Sequence, residues 1–473
     1  MTSHFEAKPS GAPGPVSFSA AFRVWMEIAA LSFGGPTGQI AVMHRLLVDR
    51  HRWISDRRFL HALNYCMLLP GPEAHQLVTY TGWLLHGVRG GLTAGLLFIL
   101  PGALALLVLS ALYVEFQQTP LLQGLFYGLK AAVLAVVVEA VIRIGRRVLK
   151  NPAMYLLAAL AFVAIRQFGV PFPAIIVAAA LAGFVGGLVN ERLFLVVAPR
   201  QSAADAAREA EYLLSTHSPP SGRNPTLGSS LATSVVWLLI WWLPVGLCWL
   251  LWGQESILVS EGVFFSKTAL LTFGGAYAVL PYVAQQAVES HRWLSTGEMM
   301  DGLGLAESTP GPLIIVLQFV GFLAAYRQPG TLSPWTAALL GSAITTWVTF
   351  APSFLFIFVG APWIERWRDN RRLSMALSGV TAAVVGVILN LAVWFAVQTL
   401  LHSGPTELPG WPGTSLGELG TLDWVALGIA VGAGVALLRY HVALGWVLSA
   451  AALAGWMGWK AFSEMPGGMS IPL

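Results

Sequence analysis

Two prolines and a glycine interrupt an apolar stretch of the chain, and a carboxylate follows directly. The sequence LLPGPEAHQL, residues 68–77, places Pro70 and Pro72 around Gly71, and Glu73 comes next. Proline removes a backbone donor and stops a helix, whereas glycine lets backbone N–H groups approach a ligand closely. The helix N-terminus that follows such a break is favourable for anions. These residue types therefore favour recognition of an anion by backbone N–H groups.

Three short motifs occur twice, each with 240 residues between its copies. The pairs are SFGGPTG at 32–38 and TFGGAYA at 272–278, HRWIS at 51–55 and HRWLS at 291–295, and LLPGP at 68–72 and STPGP at 308–312. Further along, the offset grows to 251: LKAAVLAVVVEA from Leu129 matches VTAAVVGVILNL from Val380, and Pro101 matches Pro352. Matches in one register indicate a tandem duplication.

The predicted substrate site comprises the residues at and beside the four breaks. These are Gly34, Gly35, Pro36, Gln39, Pro70, Gly71, Pro72, Glu73, Gln76, Gly274, Gly275, Pro310, Gly311 and Pro312. The chain shows no nucleophile arrangement, metal-ligand spacing or phosphate-binding loop, so no catalytic residue, metal or cofactor is predicted and the protein is not expected to be an enzyme.

A second set of polar residues lies within apolar runs, where an ionisable group suggests function. Glu139 and Arg143 are four residues apart on one helical face, and an ion pair and a coupling role are equally supported. The remaining candidates for coupling or ion pairing are Lys130, Lys267, which has the repeat position of Glu27, and Asn390, which has that of Glu139. Glu73 and Glu139 are the first candidates for a proton carrier, followed by His75 and Glu307.

The composition determines which kind of fold must position these residues. Hydrophobic residues make up 56% of the 473 residues and charged residues only 11%, and the mean hydropathy is +0.68. Such a balance excludes a soluble globular domain and predicts an all-α polytopic membrane protein. Apolar runs of spanning length cover 92–113, 121–142, 154–189, 231–252, 335–359 and 375–401. The net charge of +4 is spread over loops, so no nucleic-acid partner is expected.

Polar segments divide the chain into four predicted parts. Residues 1–17 are rich in Pro, Gly and Ser and are interpreted as a disordered cytoplasmic tail. Residues 18–190 form the N-terminal transporter repeat and 191–230 a cytoplasmic linker. Residues 231–473 form the C-terminal repeat, in which 231–252 is an extra connecting helix.

The distribution of basic residues predicts that the two repeats are inverted. The loop around HRWIS is rich in arginine, whereas its counterpart around HRWLS is mostly acidic, and two further pairs of matching loops also exchange their bases. Because basic loops stay on the cytoplasmic side, matching loops would lie on opposite faces. Residues 59–88 must then enter and leave on one side as a re-entrant hairpin. A count of about thirteen ordinary crossings remains the alternative. Broken helices of inverted repeats that meet near the midplane are typical of secondary transporters.

The motifs themselves resemble a known family. SFGGPTGQIAVMHR, RFLHALNYCMLLPGPEAHQLVTYTGWLLHG and GGLTAGLLFILPG, with TFGGAYAVLPYV, LAESTPGPL and GVILNLAVWF in the second half, are similar to the chromate ion transporter family in its long, two-domain form. The resemblance implies a multi-pass protein of the bacterial inner membrane that exports chromate at the expense of the proton gradient. It departs from the family pattern at His75, where glutamine is expected, and at Glu27, where a basic residue is expected.

The resemblance leaves several properties open. The partners it implies are chromate or a sulfate-like oxyanion, membrane lipid and protons, and a homodimer is compatible with it. Sulfate or another oxyanion is the alternative substrate, and an anion channel is the alternative mechanism. Proton coupling and drive by membrane potential alone are both compatible with the sequence.

Overall fold

A computed structural model describes residues 16–33, 35–190, 212–214, 226–273, 275–364, 371–401 and 422–463. In these residues the regular structure is helical apart from two isolated bridges. Six of the described helices are long and apolar enough to cross a membrane. The prediction of an all-α, multi-pass membrane protein is confirmed.

The first half of the described chain contains seven helices. They are α1 (Phe18–Leu31), α2 (Gly35–His44), α3 (Asp56–Leu68), α4 (Glu73–Phe116), α5 (Pro120–Val148), α6 (Pro152–Phe168) and α7 (Phe172–Val189). A π-helical turn, Arg45–Arg50, continues α2. Helix α4 is interrupted at His86 and Gly87, whose backbone angles are not helical, so residues 73–85 and 88–116 are separate arms.

The second half begins with one additional helix and then follows the same order. Its helices are α8 (Leu227–Trp252), α9 (Ile257–Leu271), α10 (Ala276–Gln285), α11 (Thr296–Ser308), α12 (Val316–Arg327), α13 (Pro334–Ile364), α14 (Arg371–Leu400), α15 (Trp424–Leu438) and α16 (Leu444–Ser463). A π-helical turn, Gln286–Ser290, again follows the second helix of the repeat, and a short 3₁₀ turn, Leu313–Ile315, precedes α12.

The duplication extends to individual backbone angles. Arg52 and Arg292, which share one repeat position, both have φ of 53°, an uncommon value for a residue with a side chain. Equivalent serines begin the hairpin helices: Ser55 caps α3 by accepting from the Arg58 N–H, and Ser295 caps α11 by accepting from the Glu298 N–H. The sequence repeat thus corresponds to a repeated local structure.

Helical breaks occur where the sequence predicts them. Residues 69–72 separate α3 from the first arm of α4, and residues 309–312 separate α11 from the turn before α12. The apolar run 154–189 forms two helices and not one. Gly169 ends α6 with φ of 59° and Pro171 has no N–H to continue it, so the helix cannot pass this point.

The last two helices of each half pack against a helix of the other half. Helices α15 and α16 pack on α5, whereas α6 and α7 pack on α14, and α5 and α14 also pack on each other. Glycine permits close approaches: a Cβ atom at Gly128 would overlap the Ala451 carbonyl oxygen, and one at Gly379 would overlap the Ala179 carbonyl oxygen. Small residues of this kind let membrane helices touch backbone to backbone.

Several predictions concern residues outside the described part of the chain. They are most of the tail 1–17, most of the linker 191–230, the basic loop 365–370 and the loop 402–421. Within the linker, residues 212–214 and 226–230 are described, and Leu214 forms a bridge with Ile54 of the HRWIS loop. The backbone of Leu214 donates to the Trp53 carbonyl at 3.0 Å and accepts from the Ser55 N–H at 3.1 Å.

Candidate functional site

The tip of each hairpin contacts the end of a broken helix in the other half. The Gly71 N–H donates to the Thr272 carbonyl at 2.7 Å, and the Gly311 N–H donates to the Ser32 carbonyl at 2.8 Å. Gly71 and Gly311 share one repeat position, and Thr272 and Ser32 share another. The two bonds are therefore equivalent, as expected for a contact around a twofold axis.

Only glycine suits the conformation of either tip. Gly71 has φ of 125° and Gly311 has φ of 104°, values that residues with a side chain rarely adopt. A Cβ atom at Gly71 would also lie 2.8 Å from Oγ of Ser353 on α13, and one at Gly102 on α4 would lie 2.3 Å from the Pro310 carbonyl oxygen. Each tip is thus seated on the long helix of the opposite half.

Three buried glutamine side chains donate hydrogen bonds to backbone carbonyl groups near the tips. The side-chain N–H groups of Gln39 and Gln76 donate to the carbonyl oxygens of Gly311 and Pro70, respectively. Gln318 donates in the same way to Ala103 at 2.9 Å. The amide oxygens of all three glutamines are buried without a hydrogen-bond partner. Because a carbonyl contact fixes each amide orientation, these three oxygens offer acceptors and not donors to their surroundings.

The Glu73 carboxylate lies at the beginning of α10, in the other half. A Cβ atom at Gly275, the residue before α10, would lie 3.2 Å from Oε2 of Glu73. No side chain caps this helix. A carboxylate is stabilised at a helix N-terminus by the free N–H groups and the helix dipole. The Glu73 carboxylate therefore lies beside a helix N-terminus of the kind that the sequence assigns to the anion.

A second carboxylate, Glu307 of the second half, is linked through Tyr277 to the beginning of α2 in the first half. The Tyr277 hydroxyl, from the first turn of α10, donates a short hydrogen bond to Glu307 of α11. A Cβ atom at Gly35, where α2 begins, would lie 3.9 Å from that hydroxyl. The repeat counterparts of Tyr277 and Glu307 are Thr37 and Met67, so this pair occurs in one half only.

A basic cavity of about 490 Å³ lies beside the carboxylates, at the end of α5. It is lined by Glu139, Ile142, Arg143, Arg146, Arg147, Leu437, Leu438 and His441. Arg147 and Arg143 lie within electrostatic range of Glu73, and Arg143 also of Glu307, but neither arginine forms an ion pair with these carboxylates. The basic wall of the cavity is therefore within electrostatic range of the two carboxylates.

The predicted coupling residues fall into different surroundings. Glu139 and Arg143 form an ion pair at 3.5 Å on the cavity wall. Lys130 pairs with Asp301 at 3.5 Å. Lys267 is exposed on α9, and Asn390 is half-buried on α14.

The repeat position shared by Glu27 and Lys267 does not bring these two residues together. Glu27 pairs with Arg50 from its own half at 2.7 Å.

The predicted tip residues lie where the breaks place them. Pro72 and Pro312 directly precede helical turns, and Pro36 is the second residue of α2. Gly34 and Gly274 lie outside the described residues. In the described part of the chain, no group of three or more His, Cys, Asp and Glu residues could hold a metal ion.

Two buried acids were not among the predicted site residues. Asp301 accepts a hydrogen bond from the Tyr113 hydroxyl at 2.8 Å in addition to the Lys130 contact. Glu261 on α9 is fully buried, and neither of its carboxyl oxygens has a hydrogen-bond partner. A search for carboxyls inside every apolar helix would have found Glu261, but the predicted runs stop at residue 252 and resume at residue 335.

The fold and the site together define a polytopic helical membrane protein in which paired broken helices meet beside a basic cavity. Comparison with known proteins then specifies the family. The chain belongs to the chromate transporter family, whose profile matches residues 19–184 and 261–456. These two segments correspond to the two halves described above.

Named relatives cover most of the chain. A chromate transport protein of Pseudomonas aeruginosa is 35% identical over 392 residues, which are 81% of this chain and 82% of the relative. A chromate transport protein of Cupriavidus metallidurans is 27% identical over 81% of this chain and 84% of its own length. A probable chromate transport protein of Synechococcus elongatus is 26% identical over 82% and 86%, respectively. No solved structure matches the chain.

Proposed function

We propose that the protein is a secondary transporter that exports chromate across the bacterial inner membrane. The observation that carries this proposal is the reciprocal contact of the two tips, in which Gly71 binds Thr272 and Gly311 binds Ser32. Interrupted helices at matching positions of two repeats are how many secondary transporters form a substrate site. The names of the relatives support chromate as the substrate.

The directions of the helices support an inverted arrangement of the repeats. Tyr127, near the beginning of α5, donates to Asp423 at 2.6 Å, and the Asp423 N–H donates to the Leu400 carbonyl at 2.8 Å. Leu400 is the last residue of α14, so the beginning of α5 and the end of α14 lie at one end of the bundle. Because α5 and α14 are repeat counterparts and run in opposite directions, an inverted repeat accounts for the contacts.

The position of Glu73 suggests how an anion is bound and released. The carboxylate lies beside the beginning of α10, whose first N–H groups have no side-chain cap. A chromate dianion carries more charge than a carboxylate, so it would compete for the same N–H groups and displace Glu73. Arg143 and Arg147 are near enough to pair with the displaced carboxylate. Substrate binding and movement of the first tip would then be linked.

The basic cavity is the proposed cytoplasmic entrance. Three arginines and His441 line it, and Glu139 pairs with one of these arginines. A cleft of one charge sign raises the local concentration of oppositely charged substrates. A negative cytoplasmic potential favours export of an anion by roughly 2.3 kcal/mol per charge per 100 mV, and a proton gradient would add to this drive.

Counterflow in proteoliposomes tests the function. Vesicles that contain the purified protein and a high concentration of unlabelled chromate are diluted into labelled chromate, with equal pH on both sides. A carrier accumulates label transiently, whereas a channel only equilibrates it. We expect transient accumulation with chromate, and protein-free vesicles provide the control. Counterflow with sulfate but not with chromate would show that sulfate is the substrate. Equilibration without an overshoot would contradict the carrier mechanism.

A further inference from the structure

Glu261 is a buried carboxyl that the proposed chromate path does not use. It lies on α9 with no exposed surface. A Cβ atom at Gly341 on α13 would lie 2.8 Å from its Oε2 atom, and the polar group next to the carboxyl is the hydroxyl of Thr345. Neither oxygen accepts a well-formed hydrogen bond. The carboxyl is therefore enclosed by helices and unsatisfied.

No cation faces Glu261 in the described part of the chain. From α8 the titratable group that faces it is Cys248, from α13 its neighbour is Thr345, and from α12 Gly321 packs on that threonine. On its own helix, Lys267 is exposed. An ionised carboxylate without a cation or hydrogen bonds is costly in such surroundings. This packing accommodates the neutral acid, in which the carboxyl carries a proton.

Helix α13 carries a row of buried hydroxyl groups that begins beside Glu261. We name this row the hydroxyl face, and it consists of Ser342, Thr345, Thr349 and Ser353. Residues three and four positions apart lie on one side of a helix, so the row continues along about three turns. The hydroxyl oxygens of Thr345 and Ser353 are buried without a hydrogen-bond partner. They remain free to exchange a proton or to hold a water molecule.

The other end of the hydroxyl face reaches the first tip. A Cβ atom at Gly71 would lie 2.8 Å from Oγ of Ser353. His75, in the arm that follows this tip, packs edge-on against Phe350 and Phe354 with ring centroids 5.2 and 4.9 Å away. His75 and Glu73 are thus the titratable groups at this end. The hydroxyl face connects Glu261 to the tip that carries Glu73.

The repeat provides an internal comparison for this arrangement. The counterpart of Glu261 is Ala21, and the counterparts of the hydroxyl face are Gly91, Ala94, Phe98 and Gly102, none of which has a hydroxyl group. Both halves fold alike, so neither the carboxyl nor the hydroxyls are needed to form the helices. A function that only one half performs explains why a costly buried acid occurs once.

We propose that Glu261 is the binding site for the transported proton and that the hydroxyl face of α13 conducts this proton to the Gly71 tip. The carboxyl gains an O–H bond when the proton enters and loses it when the proton leaves, with no redox change. This inference rests on the proposed function, because it assigns the coupling ion of the same transporter. It places the proton and the anion in separate sites that meet at the tip.

The test compares exchange with coupled transport in one set of proteoliposomes. Wild type and Glu261→Gln are assayed for chromate counterflow at equal pH and for net chromate movement with acid on the receiving side. We expect Glu261→Gln to keep counterflow within about twofold of wild type and to lose acceleration by the pH gradient. Thr345→Val, which removes one hydroxyl at nearly constant volume, should reduce the acceleration severalfold. Glu255→Gln, an exposed carboxyl just before α9, is the matched control and should respond as wild type.

The outcomes separate this inference from the proposed function. Absence of chromate counterflow in wild type would refute the proposed function itself. Counterflow in wild type together with a full pH response in Glu261→Gln would refute the proton site alone. If Glu261→Gln is poorly inserted, Thr345→Val and Ser353→Ala decide the question, because a wild-type response in both excludes the hydroxyl face as the path. Proton entry is followed with a pH-sensitive dye trapped inside the vesicles, a signal that a merely structural role would not change.

Discussion

The two halves of the molecule share their backbone but not the carboxyls near their broken helices. Both have a broken first helix, a π-helical turn, a capped hairpin and a glycine tip, and the tips make equivalent bonds to opposite halves. The carboxyls near these elements are single: Glu73 corresponds to Leu313, Glu307 to Met67 and Glu261 to Ala21. Duplication has preserved the scaffold, whereas each of these three carboxyls belongs to one half only.

This difference suggests a division of labour. If the two halves have opposite orientations, they could exchange conformations at little cost, which would give access to the site from either side. A symmetric set of charges would not distinguish the two directions. Single carboxyls bias one conformation by their protonation or pairing, so the unmatched residues would set direction and coupling.

An inverted arrangement predicts that equivalent residues of the two halves lie on opposite sides of the membrane. Asp49 and Glu289 are exposed residues at one repeat position. In a background with Cys66→Ala and Cys248→Ala, Asp49→Cys should be unreactive to an impermeant maleimide in intact cells, whereas Glu289→Cys should be labelled. Lys150→Cys is the control and should behave as Asp49→Cys does. Labelling of both Asp49→Cys and Glu289→Cys from one face would contradict the inverted arrangement.

Both glycine tips are expected to be sensitive to a large side chain but to differ in their tolerance of alanine. Gly71→Leu and Gly311→Leu should each lower chromate transport at least about 100-fold without loss of membrane insertion, because a side chain would block the tip contact and strain the backbone by roughly 1–3 kcal/mol. Alanine should separate the tips. A Cβ atom at Gly71 meets Gln76 Nε2 at 2.6 Å, whereas none of the neighbours at Gly311 is closer than 3.4 Å. Gly311→Ala should therefore retain more transport than Gly71→Ala.

A third glycine controls for backbone strain alone. Gly169 also has positive φ, 59°, and a Cβ atom there would meet nothing within 4 Å. Gly169→Ala should leave transport close to wild type when initial rates are measured in proteoliposomes. Equal losses in Gly169→Ala and Gly71→Ala would show that the tips are sensitive to strain and not to contact.

Local chemistry explains why the helical breaks were predictable. Proline and glycine act on their own neighbourhood, so LLPGP and STPGP indicate the two hairpin tips without knowledge of the rest of the fold. The duplication was readable for the same reason, because it is a property of the chain. The run 154–189 was less clear, since Gly169 and Pro171 separate two helices inside continuous apolar sequence.

Contacts between the halves could not be read from the chain in this way. The Glu73 carboxylate meets Gly275, and Lys130 meets Asp301, across more than 170 residues in each case. Glu27 and Lys267 have opposite charges at one repeat position, but the partner of Glu27 is Arg50. Equivalent positions under a twofold axis meet only if they lie near that axis, and the sequence does not show which positions do.

The Lys130 and Asp301 pair gives the smallest of the expected effects. Asp301 is buried and contacts both Lys130 and Tyr113, whereas the Lys130 side chain is 26% exposed. The repeat counterparts, Thr381 and His61, cannot form this pair. Removing the cation leaves a buried carboxylate unpaired, so Lys130→Met should destabilise the protein, by about 1–3 kcal/mol once partial exposure is considered. Asp301→Asn should cost less, because the lysine that remains can reach solvent.

A double-mutant cycle decides whether Lys130 and Asp301 stabilise the protein by interacting with each other. We expect Lys130→Met with Asp301→Asn to cost less than the sum of the single changes by about 1 kcal/mol, measured from thermal unfolding midpoints in one detergent. Tyr113→Phe is the control that removes a hydrogen bond from Asp301 but keeps its cation, and it should cost about 1 kcal/mol. Additive single changes would show that Lys130 and Asp301 act independently. The interface between α5 and α11 would then depend on packing alone.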